Sequence, residues 1–191
     1  MAKLFIDPGH GGRDPGALGN GLLEKDLNLD IAMRLFSILQ QEYPEIEVRL
    51  SRDKDVFVSL GERVALANQW GADLVLSIHV NAGGGTGYET YIHRSMPATT
   101  VRWRQILHRE VINNIGQGIK DRGMKTANFA ILRQTRMPAI LTENLFIDHP
   151  EDAIRLKEAS FRQRLAECYA AGVAKIFGAK SDDGNHQLTR P

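Results

Sequence analysis

Leu4-Phe5-Ile6-Asp7-Pro8-Gly9-His10-Gly11-Gly12 is the stretch from which the rest of the chain can be read. A short apolar run ends in an acid and then a proline, which cannot donate to a β-ladder and so closes a central strand. His10 follows among three glycines, where the backbone bends freely and can approach a ligand closely. Open α/β sheets put their chemistry in the crevice beyond the carboxyl ends of their strands. A titratable ring displayed there is a candidate site residue. The bland alternative is a loop histidine without a task, and what else the chain sends to that edge decides between them.

Outward from this strand, the chain alternates helix and strand. Residues 13–20 are rich in Gly, Pro and Asp and read as irregular. Residues 23–43 read as a helix, because Leu27, Ile31, Leu35 and Leu39 form one apolar stripe. Pro44 ends it, and residues 46–50 alternate as a second strand. Ser59 with Glu62 is a capping-box signature for a helix that Gly71 terminates. Residues 73–80 make a third strand, apolar enough to be covered on both faces. After a glycine turn at 83–87 come a strand at 88–92, a helix at 97–115, strands at 129–132 and 139–142, and a last helix at 160–177. In that last helix Phe161, Leu165, Tyr169, Val173 and Phe177 recur one turn apart. Strands alternating with helices imply an α/β fold in three layers: a twisted, mainly parallel sheet of about six strands covered by helices on both faces. Residues 1–179 form the expected domain, and residues 180–191 a polar tail or linker.

Composition narrows the partners. The chain has 191 residues, 42% hydrophobic and 25% charged, which fits one ordinary globular domain. A net charge of +1 gives no general electrostatic case for nucleic acid or an anionic membrane, and no apolar run has the length of a membrane span. The single cysteine, Cys168, excludes an internal disulfide and a Cys-rich zinc site, and reads as a small buried hydrophobe. Met1-Ala2-Lys3 runs directly into the first strand and does not read as a leader, so synthesis in the cytoplasm is expected unless a leader has been removed.

Three polar residues join His10. His79 lies at the carboxyl end of the third strand, Glu143 at the end of residues 139–142, and Glu24 opens the first helix beyond the glycine loop. If the strands are parallel neighbours, His10, His79 and Glu143 emerge on one edge and the loop can fold Glu24 over it. Two histidines and a carboxylate are a common catalytic zinc set, and a second carboxylate can take a proton from water. Glu24 also reads as a first-turn acid favoured by the helix dipole, and His79 as a satisfied core histidine. For Glu143 the bland reading is weakest, because a carboxylate ending an apolar strand is costly unless exposed or partnered.

These residues carry a resemblance. Asp7-Pro8-Gly9-His10-Gly11-Gly12 with Asp14, Gly16 and Ala17, then Glu24-Lys25 and Asn28-Leu29, resembles the zinc-dependent N-acetylmuramoyl-L-alanine amidases of the type-3 family. Ser51-Arg52-Asp53, Leu60-Gly61-Glu62-Arg63 with Ala67-Asn68, and Ala72-Asp73 leading to Ser77-Ile78-His79-Val80-Asn81 agree with it. So do Arg122-Gly123, Ala130-Ile131-Leu132-Arg133, Met137-Pro138-Ala139 and Glu143-Asn144-Leu145-Phe146-Ile147. One departure is visible: the family usually has glycine before the Phe-Ile, and this chain has Leu145, which puts the local loop shape in question.

The resemblance implies one Zn2+ per chain held by His10, Glu24 and His79, with Glu143 as catalytic acid/base. It implies hydrolysis of the amide between N-acetylmuramic acid and L-alanine in peptidoglycan, by a monomer, in an endolysin or an autolysin released by a holin or by cell lysis. Relatives often carry separate wall-binding repeats, and the tail looks like the start of a linker to one. Two alternatives stay open: a non-catalytic peptidoglycan-binding relative, and another zinc peptidase or deacetylase. Asp7 is a candidate for fixing the tautomer of a ligand histidine, or a plain strand-end acid. Asn81 is a candidate for binding a substrate carbonyl, or a turn residue. His93, His108, His149 and His186 match no metal position, although His149 is placed where it could line the cleft.

Overall fold

The computed structural model describes residues 1–181, so most of the tail at 180–191 lies outside the described residues. β1 (Ala2–Pro8) leads through a small hairpin, β2 (Leu18–Gly19) and β3 (Leu22–Leu23), directly into α1 (Glu24–Glu42). There follow β4 (Ile46–Leu50), α2 (Leu60–Trp70), β5 (Leu74–Asn81), β6 (Tyr88–Ile92) and α3 (Ala98–Asn114). The chain then forms β7 (Asp121–Thr126), α4 (Ala130–Gln134), β8 (Ala139–Phe146), α5 (Pro150–Lys157) and α6 (Ala159–Phe177). No helix among the described residues is long and apolar enough to cross a membrane.

Six strands form one sheet in the order β4-β1-β5-β8-β6-β7. The first four are mutually parallel. β6 pairs antiparallel with β8 and parallel with β7, so the last two strands run the other way. The mainly parallel sheet with helices on both faces is as the sequence implies, with a reversed pair at one edge. The stripe on α1 is buried along its length, and α2 begins at a complete Ser59–Glu62 capping box and stops at Gly71 in the left-handed region, φ 67°.

Two local expectations need correction, and two elements, β7 and α5, were not expected. Residues 129–132 are not a strand: they enter α4, where Ile131 and Leu132 pack against α2. A four-residue apolar run has the same pattern in a buried turn of helix as in a strand. The sheet position is taken instead by β7, whose sequence Asp-Arg-Gly-Met-Lys-Thr carries no apolar alternation because it is an edge strand with largely exposed side chains. Residues 13–20 are not wholly irregular, since Asn20 and Gly21, φ 52° and 77°, turn the β2–β3 hairpin. α5, capped by His149 with Pro150 in its first turn, was not marked by any apolar stripe.

The sheet has two unlike faces. On one, Leu4, Ile6, Leu76, Ile78 and Ile140 bury against α1, α3 and α6 in the larger core. On the other, Phe5, Val75, Ala139 and Leu141 bury against α2 and α4. Because side chains alternate along a strand, this second face continues beyond the apolar layer into Asp7, Ser77, His79 and Glu143. The helices cover its apolar end and leave its polar end open.

Leu145 shows how β8 accommodates its departure. Between the pairs His79–Glu143 and Asn81–Phe146, β8 carries one residue more than β5, and Leu145 absorbs it with φ 67° while fully buried. The bulge thus keeps the backbone that glycine favours, with a leucine side chain filling the larger core. Leu145→Gly should relieve roughly 1–2 kcal/mol of left-handed strain but forfeit burial whose loss even to alanine costs about 2–5 kcal/mol. Urea unfolding should therefore show a net loss of up to about 4 kcal/mol; a variant more stable than the parent would mean the leucine is not filling its site.

Candidate active site

His10 is held by its own backbone. It takes φ 61°, rare for a non-glycine residue, and its carbonyl accepts from Arg63 Nη2 at 2.6 Å. Arg52 fastens the two preceding residues, with Nε on Pro8 O and Nη2 on Gly9 O, at 3.0 and 2.9 Å. On the ring, Nδ1 meets Asp14 Oδ2 at 2.9 Å, which leaves Nε2 facing Glu24 Oε2 at 3.2 Å. An acid on the outer nitrogen fixes the tautomer and aims the inner one.

Glu24 is delivered by the hairpin. β3 ends at Leu23, and the Glu24 amide donates to Ala17 O while Ala17 N donates to Glu24 Oε2, at 3.0 and 2.8 Å. Its Oε1 accepts from Val80 N at 3.1 Å and faces His79 Nδ1 at 3.0 Å. The ligand atoms of His10, Glu24 and His79 all lie within 4.8 Å of one another. Two glycines mark how tightly the group is enclosed. A Cβ on Gly9 would stand 2.2 Å from His79 Cε1, and one on Gly16 2.5 Å from Glu24 Oε2. Two nitrogens and a carboxylate oxygen converging in this way suit zinc.

The electrostatics point the same way. Burial opposes protonation of His10, but Glu24 and Asp14 outweigh it and lift its pKa to about 9. Burial likewise opposes ionisation of Glu24, yet the two histidines hold its carboxyl far below the usual range. The group is therefore built around a positive charge, which protons supply when no metal does.

Glu143 lies inside β8 rather than at its end, in register with His79 on one side and Glu89 on the other. It is outside the three-residue group, and among the described residues its buried Oε2 has no hydrogen-bond partner. Burial, only partly offset by His79, raises its pKa to about 7. It helps line a cavity of about 680 Å³ with His10, His79, Arg63, Phe57 and Phe129.

The other candidates are placed differently. Asp7 touches neither histidine: Ser51 and Ser77 hydroxyls and Arg63 Nη1 donate to it at 2.7, 2.8 and 2.7 Å. Burial opposes its ionisation, and Arg63 with the two hydroxyls overcomes this and holds the carboxyl below its ordinary value. Asn81 donates to Glu89 Oε1 at 2.8 Å and accepts from Ala82 N. His149 caps α5 and is not among the residues lining the cavity, and buried His108 bonds Thr90 and Asp121. Sequence reasoning gave no role to Asp14, Arg52, Arg63 or Glu89. Asp14, four residues after His10, was open to discovery by spacing; the arginines were not, because nothing local announces a buried guanidinium.

Comparison with known proteins agrees with this geometry. Residues 4–175 match the family described as N-acetylmuramoyl-L-alanine amidase. The chain is 53% identical over 180 residues to the sporulation-specific N-acetylmuramoyl-L-alanine amidase of Bacillus subtilis, covering 94% of this chain and 70% of that one. It is 46% identical over 189 residues to the endolysin of Bacillus phage SPP1, covering 96% and 69%. Among solved structures, the catalytic domain of CwlV, an N-acetylmuramoyl-L-alanine amidase from Bacillus (Paenibacillus) polymyxa var. colistinus, superposes with a TM-score of 0.88 at 34% identity. That likeness covers 94% of this chain and all of the other, 100%.

Two measurements follow from the site's charges. Arg63→Met would strand the buried Asp7 carboxylate, and breaking a buried pair in this way costs about 3–5 kcal/mol; denaturant unfolding should show a loss of that order. In metal-free protein, the raised His10 pKa contributes stability that is complete below about pH 6.5, the ordinary histidine value, and is lost as pH rises through about 9. Thermal unfolding of chelated protein should fall across that window by on the order of 1–3 kcal/mol. A flat profile would show that Glu24 does not draw a proton onto His10.

Proposed function

The chain belongs to the N-acetylmuramoyl-L-alanine amidase family, and from that premise we propose that His10, Glu24 and His79 hold one zinc ion and that Glu143 moves the proton. The protein is a peptidoglycan amidase, hydrolysing the bond between N-acetylmuramic acid and L-alanine in the cell wall. The observation that carries the assignment of roles is the contrast between the two glutamates: Glu24 enclosed by the histidines, Glu143 beside His79 with a bare buried oxygen.

Zinc in this setting supplies Lewis acidity, polarising a carbonyl oxygen and making water nucleophilic near neutral pH. The protein's own groups do the rest. Asp14 keeps the His10 ring turned so that Nε2 faces inward, and Arg63 and Arg52 keep the loop that carries it in place. Glu143, whose pKa burial raises to about 7 in the metal-free protein, takes a proton from the attacking water and passes it to the departing alanine nitrogen. Phe57 and Phe129 add apolar surface to the wall of the cavity.

The whole constellation comes from one chain, which supports action as a monomer. The match over residues 4–175 supports residues 1–179 as the catalytic domain, with 180–191 as a polar tail or linker. A non-catalytic wall-binding role would leave Glu143 without a task.

Digestion of purified wall should release peptides with new L-alanine amino termini, identified by mass spectrometry; unchanged wall would sink the reading, and cleavage at another bond would reassign it. Chelation should abolish turnover and leave far-UV circular dichroism largely intact, because ligands from three distant segments are positioned by the fold. Glu24→Gln should lose zinc stoichiometry. Glu143→Gln should keep zinc and lose about 10²–10⁴-fold in kcat. Stoichiometric zinc in the first variant, or near-normal rates in the second, would reverse the roles.

A further inference from the structure

On the side of Glu143 away from the cavity lies a second charged group that the reaction above does not use. Glu89 pairs directly with Glu143 across β6 and β8 and is 1% exposed. Its Oε1 accepts from Asn81 Nδ2 and Tyr91 OH at 2.8 and 2.7 Å, and its Oε2 from Arg122 Nε at 2.7 Å and from Lys125 Nζ. Two cations thus share one carboxylate, and one positive charge is left over. Neither cation is buried, their side chains keeping 25% and 37% exposure.

The arrangement fixes the cations without using them up. The Arg122 guanidinium lies over the Phe146 ring at 4.6 Å and is tied to Glu89 through Nε alone. Among the described residues, its two Nη groups make no hydrogen bond. Lys125 has one of its three donors on Glu89. A planar fork held by stacking, with a point charge beside it, is a pre-formed receptor for a carboxylate.

We propose that Arg122 and Lys125 form a subsite for a carboxylate on the peptide leaving group, an assignment that rests on the amidase reading. The cavity is lined by His10, His79 and Glu143 but by none of Glu89, Tyr91, Arg122 or Lys125, so Glu143 stands between the two regions. The leaving nitrogen takes its proton at Glu143, and the peptide that begins there is directed across β6 and β7. Lys125 lies on β7, paired with Tyr91, two strands from β8. Strand spacing makes that about 10 Å, and an extended peptide covers about 3.3–3.6 Å per residue. A carboxylate on the second or third residue after the cut therefore reaches the cations. The bond cut is neutral, so this charge acts on substrate choice and orientation.

The test uses two disaccharide-tripeptides that differ only in whether the free carboxylates of the second and third residues are ionised or amidated. The parent enzyme should favour the carboxylate form by about tenfold or more in kcat/KM, chiefly through KM, as a charge-assisted bond implies. Salt should weaken the preference. Arg122→Gln and Lys125→Gln should each drive the ratio of the two kcat/KM values towards one, and Lys125→Arg should restore it. A ratio near one in the parent would overturn the subsite. So would variants that lose activity on both substrates with the ratio intact, which would assign the cations to holding Glu89. An enzyme that cut neither substrate, yet bound zinc, would overturn the amidase reading and the subsite with it.

Discussion

Arg63 lies 3% exposed between the end of β1 and the start of α2, and its guanidinium answers five acceptors there: Val58 O, Asp7 Oδ1, Pro8 O, Ser51 Oγ and His10 O. A guanidinium has five N–H donors in a fixed fork; all three nitrogens of Arg63 are engaged, the two N–H of Nη1 being shared among Asp7, Pro8 and Ser51. Taking it out of water is costly, and among the described residues Asp7 alone pairs with it as a carboxylate. Beside it Arg52, equally buried, pairs with no carboxylate among the described residues and is satisfied by the carbonyls of Pro8, Gly9, Lys25 and Lys54. Two buried cations on the backbone of one short loop make little sense as a source of stability alone. They make sense as a clamp. Without them the loop's carbonyls would turn to water, and His10 would have no reason to hold φ 61°.

That clamp explains how His10 comes to face Glu24 and His79. The strand face it stands on is graded: apolar where α2 and α4 cover it, then Asp7 and Ser77, then His79 and Glu143 at the open end. Asp7 does its work at the boundary, where its carboxylate joins β1, β5 and the clamp through Ser77, Ser51 and Arg63. The glycines Gly9 and Gly16 then allow the His79 ring and the Glu24 carboxylate to close against the loop.

Much of this was legible in the sequence where a residue advertises itself locally. The β1 run, the α1 stripe and the Ser59 capping box are local patterns, and all appear as read. His10, Glu24, His79 and Glu143 were visible as polar residues that follow apolar runs. What the sequence concealed depends on contacts distant along the chain. β7 is a strand only because β6 offers it an edge, and Phe129 to Leu132 turn into α4 because α2 presents an apolar face there. The role of Arg63 was hidden for the same reason, since its acceptors lie up to 56 residues away. Asp7 and Asn81 were singled out as polar residues near the site, but their partners, Arg63 and Glu89, could not be named without the fold.

The two glutamates bring the argument to its physical end. Chemically identical, they differ in what surrounds them. Glu24 receives five nitrogens: Ala17 N, Val80 N, Asn28 Nδ2 and the two imidazoles. Each favours the ionised form, so burial is overcome and the carboxylate stays charged. Glu143 is buried too, but its Oε2 receives nothing, and Glu24 and Glu89 on either side repel a further negative charge. Its proton is therefore held near neutrality. A carboxylate that must stay charged suits a cation, and one that can be charged or neutral at the same pH suits proton transfer. Exchanging the two roles would need the hairpin at Asn20-Gly21 to deliver its donors elsewhere, because Ala17 N reaches Glu24 only through that turn.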